Sequence, residues 1–564
     1  MPRIDRETLC GMLRRLPPEE LEAALQSRLL PVLSLPGMVL HAACGPAALA
    51  EGQRRGCKVV GYAEAHDLIA AARGVHGPYL LAEATLGLAK RMPHASARQR
   101  LTTPQAAGLA AIALTVTAGG LLLPAGVFWL AASAVGGLFF LSVVALRLLC
   151  LMPPVQRAAA PEPGRMSDAA LPVYSVLVPL FRETSVLKQL MWALSRLRYP
   201  PGKLDIKLIL EEEDVGMQAA LAALPLPEHV EVIVVPAGKP QTKPRALNYA
   251  LPFCRGDLLT IYDAEDIPEP GQLAAAASRF AQEGPELACL QAQLTFFNPG
   301  ENWLTRQFTA EYAMLFGLLL PVLADHRLPL PLGGTSNHFR TAVLRQVGAW
   351  DAFNVTEDAD LGLRLARHGY ATGTLDSLTH EEANTRLPNW MRQRARWLKG
   401  FLATWLVHMR APRRLMRELG PAGFWVAQAV TIGVFASALL HPICLAATVV
   451  LLALHPMLPE DGGAVFALVA GLNLLVFIAG YALAIMLTHR ALRLRGISGW
   501  GGTLATMPIY WLLMSGAAWL ALWQFMTSPF HWNKTEHGLS RLQAGRRRRP
   551  LLARFRRPAR RENG

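Results

Sequence analysis

Leu258-Leu259-Thr260-Ile261-Tyr262-Asp263-Ala264-Glu265-Asp266 is the stretch on which the fold turns. A short apolar run leads into three carboxylates, so a strand is predicted over Leu258–Tyr262 with acids at its carboxyl end. Ligands of open α/β sheets bind outside such ends. Carboxylates there hold a hard divalent cation, which in turn neutralises a diphosphate; the plainer alternative is a solvated acidic turn. Outward from this strand, Val173–Leu180, Ile206–Leu210 and Val230–Val235 read as further strands alternating with helical stretches. That alternation predicts a mostly parallel sheet with crossover helices over residues 171–400.

Two more stretches carry chemistry. In Val355-Thr356-Glu357-Asp358, a carboxylate in a pocket is suited to deprotonate a sugar hydroxyl. The alternative is a helix cap, with Thr356 or Asp358 leading into Leu361–His368. Gln393-Arg394-Ala395-Arg396-Trp397 falls on a predicted amphipathic helix with Trp390, Phe401 and Trp405. Indole faces stack on sugar rings and guanidinium groups bind phosphate oxygens. An interfacial helix with an aromatic belt gives the same pattern.

The order of these motifs adds to each of them. A strand opens the domain, then come Lys243-Pro244-Arg245-Ala246-Leu247-Asn248, the acidic cluster, Thr-Glu-Asp and Gln-x-x-Arg-Trp. In this ordered set the chain resembles the membrane-embedded family 2 glycosyltransferases, the group of the cellulose, chitin and hyaluronan synthases. The resemblance covers about residues 171–400 and the flanking spans. It implies an α/β GT-A (Rossmann-like nucleotide-sugar transferase) fold inserted between transmembrane helices. It also implies a nucleotide-diphosphate sugar donor, a UDP-sugar being expected, with Mg²⁺ or Mn²⁺ and inversion at the anomeric carbon. By the same resemblance Asp263 binds donor and metal, and either Glu265 or Asp266 is the second metal ligand. Pro179 and Glu183 match the first nucleotide-contacting loop, and Lys243 the basic position ahead of Ala-Leu-Asn. Asp358 matches the general base. Gln393, Arg396 and Trp397 match the lining of the acceptor and diphosphate side. Gly334-Thr335-Ser336, with Asn337-His338, looks like the loop beneath the acceptor end. Two places depart from the family. Its second strand usually ends in Asp-Asp, where a carboxylate reads the nucleobase; here Glu211-Glu212-Glu213-Asp214 stands, leaving Glu211 and Glu212 both as candidates. The Asp-x-Asp motif is altered to Asp-x-Glu-Asp.

Composition sets the surroundings. The chain has 564 residues, 52% hydrophobic and 17% charged, which excludes disorder and predicts more than one unit. Seven scattered cysteines without a Cys-x-x-Cys pair argue against a disulfide scaffold and a zinc site. Residues 106–123 and 126–149 are predicted to span a bilayer as a hairpin, followed by apolar regions at 424–454, 464–488 and 503–527. Lys90, Arg91, Arg98, Arg100 and Arg147 place both hairpin flanks in the cytoplasm. Three further spans would put the Arg-rich tail outside. Either 503–527 is then re-entrant or interfacial, or 424–454 bends at His441-Pro442 into two pieces. Beside membrane spans, that tail is expected to meet anionic lipid and not nucleic acid.

The expected organisation is a regulatory or docking domain (1–100), a transmembrane hairpin (104–150), the GT-A domain (171–405), a C-terminal transmembrane region (424–527) and a basic cytoplasmic tail (528–564). The N-terminal domain is read as small and α/β, with helices over Glu20–Gln26 and Glu64–Ala72 and strands over Val32–Ala43 and Lys58–Tyr62. Arg28–Gly77 resembles the N-terminal domain of type II secretion ATPases, which implies docking or regulation. The expected setting is a bacterial inner membrane, multi-pass, with the catalytic domain cytoplasmic. The expected activity is transfer onto a growing polysaccharide, processive because Gln-x-x-Arg-Trp resembles the processive members. Its partners would be a glycan acceptor, membrane lipid and an export partner. Two other readings stand beside it: single-sugar transfer to a lipid acceptor, and a non-catalytic membrane scaffold with a relic transferase domain.

Overall fold

A computed structural model describes residues 1–35, 38–152, 166–454, 463–530, 538 and 540. Most of the linker 152–170, the acidic loop 455–463 and the basic tail 528–564 lie outside the described residues. The chain divides into two units. One combines residues 1–96, 159–292 and 333–353; the other combines 97–158, 293–332 and 354–564. The transferase segment expected over 171–405 thus contributes to both.

In the first unit a small sheet is built from β1 (Leu29–Leu35), β2 (Met38–Cys44) and β3 (Lys58–Ala63), with β1–β2 antiparallel and β2–β3 parallel. The single strand expected over Val32–Ala43 is therefore two, paired from Leu29↔Ala43 to Leu35↔Met38. Pro36-Gly37, a turn-forming dipeptide, separates them in the sequence. The helix expected over Glu64–Ala72 runs instead from Ala65 to Arg91, straight through Pro78. Its buried Leu68, Ala72, Leu80, Ala84 and Leu88 keep one stripe, so packing carries it past a residue that usually ends a helix.

The larger sheet of this unit contains β4 (Tyr174–Leu180), β5 (Leu204–Glu211), β6 (Val230–Val235), β7 (Leu258–Ile261), the two-residue β8 (Ile267–Pro268), β9 (Leu287–Phe296) and β10 (Asn337–Arg340). Within the unit the order is β6-β5-β4-β7-β10-β9. The first four of these are mutually parallel; β10 runs antiparallel to both β7 and β9. The sheet is GT-A-like and mixed. The expectation of a mostly parallel sheet fits its first four strands and fails at β10, whose Asn337-His338-Phe339-Arg340 lacks an apolar run. Covered on both faces, parallel strands bury nearly every residue. All eight residues of β5 are buried, Asp205 and Lys207 included.

The second unit is largely helical. Among the described residues six helices are long and apolar enough to cross a membrane, by length and composition: Thr103–Leu122, Gly126–Leu151, Trp303–Asp325, Pro412–Ala447, Ala464–Leu494 and Met507–Thr527. Five correspond to the expected apolar regions. Trp303–Asp325 was not anticipated. Its apolar window is 61% buried inside the protein, against 0% for Thr103–Leu122, so protein packing accounts for its composition. Upstream of 424–454 the helix breaks at Gly420 (φ 68), then passes a π-helical turn at Ala429–Gly433 and continues through Pro442. Strand β11 (Ala371–Glu381) precedes the long helix Leu387–His408.

Candidate functional site

The carboxyl ends of β4, β5 and β7 gather most of the predicted donor residues at one edge of the first unit. Lys243 opens the helix Lys243–Ala250, and its ammonium bridges the Asp263 carboxylate and the Gly334 carbonyl, the latter at 2.7 Å. Asp266 closes the turn after β7: its Oδ2 accepts from the Asp263 N–H at 2.7 Å and from the Thr335 hydroxyl. Its Oδ1 is buried and has no hydrogen-bond partner among the described residues. Burial, and then the charges of Asp263 and Glu183, push the Glu265 carboxyl well above the usual carboxylate range. Burial, and then Asp263 and Glu265, do the same to Asp266. Among the described residues, no group of three or more His, Cys, Asp or Glu is arranged to hold a metal ion. Asp263, Glu265 and Asp266 nevertheless crowd one another electrostatically, while Asp266 Oδ2 also closes the turn. Asp263 and Glu265 fit a hard cation by their chemistry: both are carboxylates, and their repulsion is the charge excess that a cation relieves.

The end of β5 explains the departure from Asp-Asp. Glu211 pairs with buried Arg245 at 2.5 Å, and Arg245 also donates to the Gly238 carbonyl. Burial pushes Glu211 up, with Arg245 opposing it. Glu212 is exposed and accepts the Ala237 N–H at 3.0 Å. Asp214 accepts the Arg182 N–H and, at 3.2 Å, that of Met217, tying the loops after β4 and β5 together. Beyond Pro179 on β4, Arg182 adopts a left-handed backbone (φ 53), as does Ser336 (φ 55) before β10. Such residues are uncommon outside glycine and gather at functional sites. The Gln291 side chain supports the loop before β10, accepting the Gly333 N–H at 2.7 Å and donating to the Thr335 carbonyl at 3.1 Å. Sequence reasoning missed Gln291 and gave Arg245 no role. Asn337 and His338 lie in β10 and not in the expected loop. His338 is core: it sits 2.7 Å from the Tyr174 hydroxyl, and burial pushes it down to about 3.

The second unit holds the other predicted residues. Thr356 takes the N-cap position of the helix Glu357–Arg367 but makes no side-chain cap bond. The cap alternative thus has the place right and the bonding wrong. Asp358 is half-buried in the first turn, its Oδ1 accepting the Ala359 N–H at 2.7 Å. This helix is registered against Leu387–His408 at three levels. Asn354 donates to the Thr404 hydroxyl at 2.9 Å. Thr356 packs on Gly400, where an added Cβ would meet its Cγ2 and Oγ1 at 2.3 Å. Asp360 lies 3.1 Å from His408 Nε2 and accepts from Arg364 at 2.7 Å.

Along Leu387–His408, Gln393 accepts from the Asn384 amide at 2.8 Å. Arg394 makes a two-pronged pair with Glu311 at 2.6 and 2.7 Å, its guanidinium 4.6 Å above the Trp397 ring. Trp397 stacks on Tyr312 at 6.4 Å. Burial, and then Arg396, push the Lys399 ammonium down to about 8. Ala395, Leu398, Leu402 and Leu406 pack on Ala517, Ala518 and Ala521 of Met507–Thr527. Trp390 is fully buried, 5.3 Å from Tyr510, so the aromatic-belt alternative fails there. Asp360, His408 and Glu311 carried no signal in the sequence reading.

Residues 172–400 match the family described as glycosyltransferase like family 2. Those residues belong to that family. They are related to the cellulose synthases: the chain is 26% identical over 275 residues to cellulose synthase 1 of Komagataeibacter xylinus, covering 48% of this chain and 17% of that protein. It is 25% identical over 236 residues to the probable glycosyltransferase YdaM of Bacillus subtilis, covering 41% and 55%. It is 27% identical over 286 residues to the beta-monoglucosyldiacylglycerol synthase of a Synechocystis species, covering 50% and 58%. The chain thus spans less than two thirds of each of these relatives. A solved mannosyltransferase from Pyrobaculum calidifontis, in complex with GDP-Man and Mn²⁺, is similar at a TM-score of 0.47 and 18% identity, over 72% of this chain and 99% of that one. The likeness of Arg28–Gly77 to secretion ATPases finds no support among these relatives.

Proposed function

We propose that the chain is a membrane-bound inverting glycosyltransferase that moves a sugar from a nucleotide-diphosphate sugar, expected to be a UDP-sugar, onto a growing glycan. The observation that carries this reading is Lys243 bridging Asp263 and Gly334 beside the crowded carboxylates of Glu183 and Glu265. Such a constellation suits a diphosphate with a hard cation. Asp263 and Glu265 would hold Mg²⁺ or Mn²⁺, which would supply charge neutralisation for the departing diphosphate. Asp358 takes the proton of the acceptor hydroxyl. The acceptor oxygen bonds to the anomeric carbon as the bond to the diphosphate breaks, and configuration inverts. Pro179 and Glu183 serve the nucleotide loop, Glu211 and Glu212 its base end, and Gly334, Thr335 and Ser336 the acceptor end. Gln393 and Arg396 bind acceptor and diphosphate. Trp397, braced by Tyr312 and Arg394, gives a sugar ring a fixed aromatic face.

The Gln-x-x-Arg-Trp motif favours polymer extension, and a polymer would need an export partner. The long apolar helices favour a seat in a bacterial inner membrane with the transferase residues cytoplasmic and the tail on anionic lipid. A glucolipid product is the second reading, favoured by the match to a beta-monoglucosyldiacylglycerol synthase at similar identity. Intact Asp263, Asp358 and Gln393–Trp397 weigh against a relic scaffold. The test is turnover by the full chain in nanodiscs, screened over nucleotide sugars with Mg²⁺ and Mn²⁺. One donor should be consumed and Asp263→Asn should lose it. Product length then separates polymer from single addition. Silence on every donor would overturn the enzymatic reading.

A further inference from the structure

The helix Ala65–Arg91 lies in the same unit as the donor strands and touches their rim. Arg73 forms an ion pair with Glu212. The second carboxylate oxygen of Glu212 accepts the Ala237 N–H at 3.0 Å. Glu212 is therefore held from both sides, once by the turn after β6 and once by the N-terminal helix. One helical stretch further, Leu81 presses on the same turn: a Cβ added at Gly238 would lie 3.2 Å from its Cδ2. The carbonyl of Gly238 in turn takes a hydrogen bond from Arg245, which pairs with Glu211. Asn248 donates to the Ala84 carbonyl at 3.0 Å, fastening the helix that begins with Lys243. Glu212 thus touches residues 73–84 directly, Glu211 is linked to them through Arg245 and Gly238, and Lys243 shares its helix with Asn248, which is bonded to them.

We infer that Arg73 is a positioning residue of the donor site, supplied by the N-terminal segment, which sets affinity for the nucleotide end of the donor. This rests on the reading that the donor binds at the carboxyl ends of β4, β5 and β7. A nucleoside diphosphate is an anion, and Glu212 is an exposed anion at the rim. Arg73 cancels that charge and fixes the side chain against Ala237. Without Arg73 the rim gains a negative charge and a mobile carboxylate, and both weaken an anionic ligand. The chemical step, which depends on Asp358 in the other unit, has no reason to change. A ligand or partner that shifts residues 65–91 acquires by this contact a handle on donor affinity.

The experiment is steady-state kinetics of the full chain in nanodiscs with its accepted donor, comparing wild type with Arg73→Ala, Arg73→Lys and Arg73→Glu. The donor KM should rise about two- to five-fold in Arg73→Ala, the range of a half-exposed ion pair. It should rise further in Arg73→Glu and return most of the way in Arg73→Lys, with kcat unchanged throughout. The wild-type advantage should shrink as salt is raised. Arg55→Ala removes the same charge from an exposed pair with Glu51 in the helix Pro46–Arg54 and should leave KM alone. An unchanged KM in Arg73→Ala would overturn the inference, as would a fall in kcat that the lysine does not rescue. Asp263→Asn separates this from the donor-site reading. If Asp263→Asn also binds donor normally, the reading itself fails; if only the Arg73 variants are silent, the inference alone fails.

Discussion

Glu265 is an acid that folding makes harder to ionise. Only 8% of it is exposed, and it lies under the charges of Asp263 and Glu183. The folded state therefore holds a proton that the unfolded chain gives up near its ordinary value of about 4.3. Stability from this group is complete below that value and is lost as pH rises through the folded value. Asp205, Glu231 and Asp360 are shifted the other way, and their contribution changes only at lower pH. Glu265→Gln should therefore gain thermal stability relative to wild type as pH rises from about 5 to 8 in metal-free buffer. Added Mg²⁺ or Mn²⁺ should narrow that gap by stabilising wild type; a gap that stays flat with pH would contradict the assignment. The motif residues were legible because carboxylates after an apolar strand are unusual wherever they occur. Their supports were not. Arg245 and Glu211 are 34 residues apart, and His408 and Asp360 are 48 apart, so no local pattern joins them.

At the scale of the elements, the helices Glu357–Arg367 and Leu387–His408 form the decisive pair, because they carry Asp358 and Gln393–Trp397 within one unit. Gly400 lets them meet, and Thr356 fills the space a side chain would need. Gly400→Ala should cost ~1–3 kcal/mol, the usual penalty of overpacking a fitted contact. Adding Thr356→Ala removes the two closest atoms and should restore part of that loss, as denaturant or thermal unfolding would report. A neutral Gly400→Ala would show that the register is set elsewhere. The strands of the larger sheet were legible as apolar runs with acidic or polar ends. The pairing of β1 with β2 was not, since both strands read as one extended run. The helix Ala65–Arg91 was read only as far as Ala72, whereas packing carries it on through Pro78.

At the scale of the molecule, the apolar regions were legible from length and hydropathy, but the association of residues 1–96 with the donor strands was not. A buried charge cluster joins them. Arg28 grips Glu231 through two bonds of 2.6 Å, while Lys207 and Arg255 meet Asp205 at 2.7 and 3.2 Å. Arg28 and Glu231 are 203 residues apart, a separation that no sequence period records. Three cations thus share two carboxylates. Removing Arg28 leaves the remaining charges balanced, whereas removing Glu231 leaves three cations on Asp205. Glu231→Gln should therefore destabilise by ~3–5 kcal/mol, the cost of uncompensated buried charge, and Arg28→Gln by clearly less. Equal losses on denaturant unfolding would contradict that arithmetic. The central claim is that this chain transfers a sugar with Asp358 as the base. It is tested most directly by measuring donor binding and transfer side by side in wild type and Asp358→Asn. Asp358→Asn should bind donor with unchanged affinity while transfer falls about 10²- to 10⁴-fold; normal turnover in Asp358→Asn would contradict the assignment.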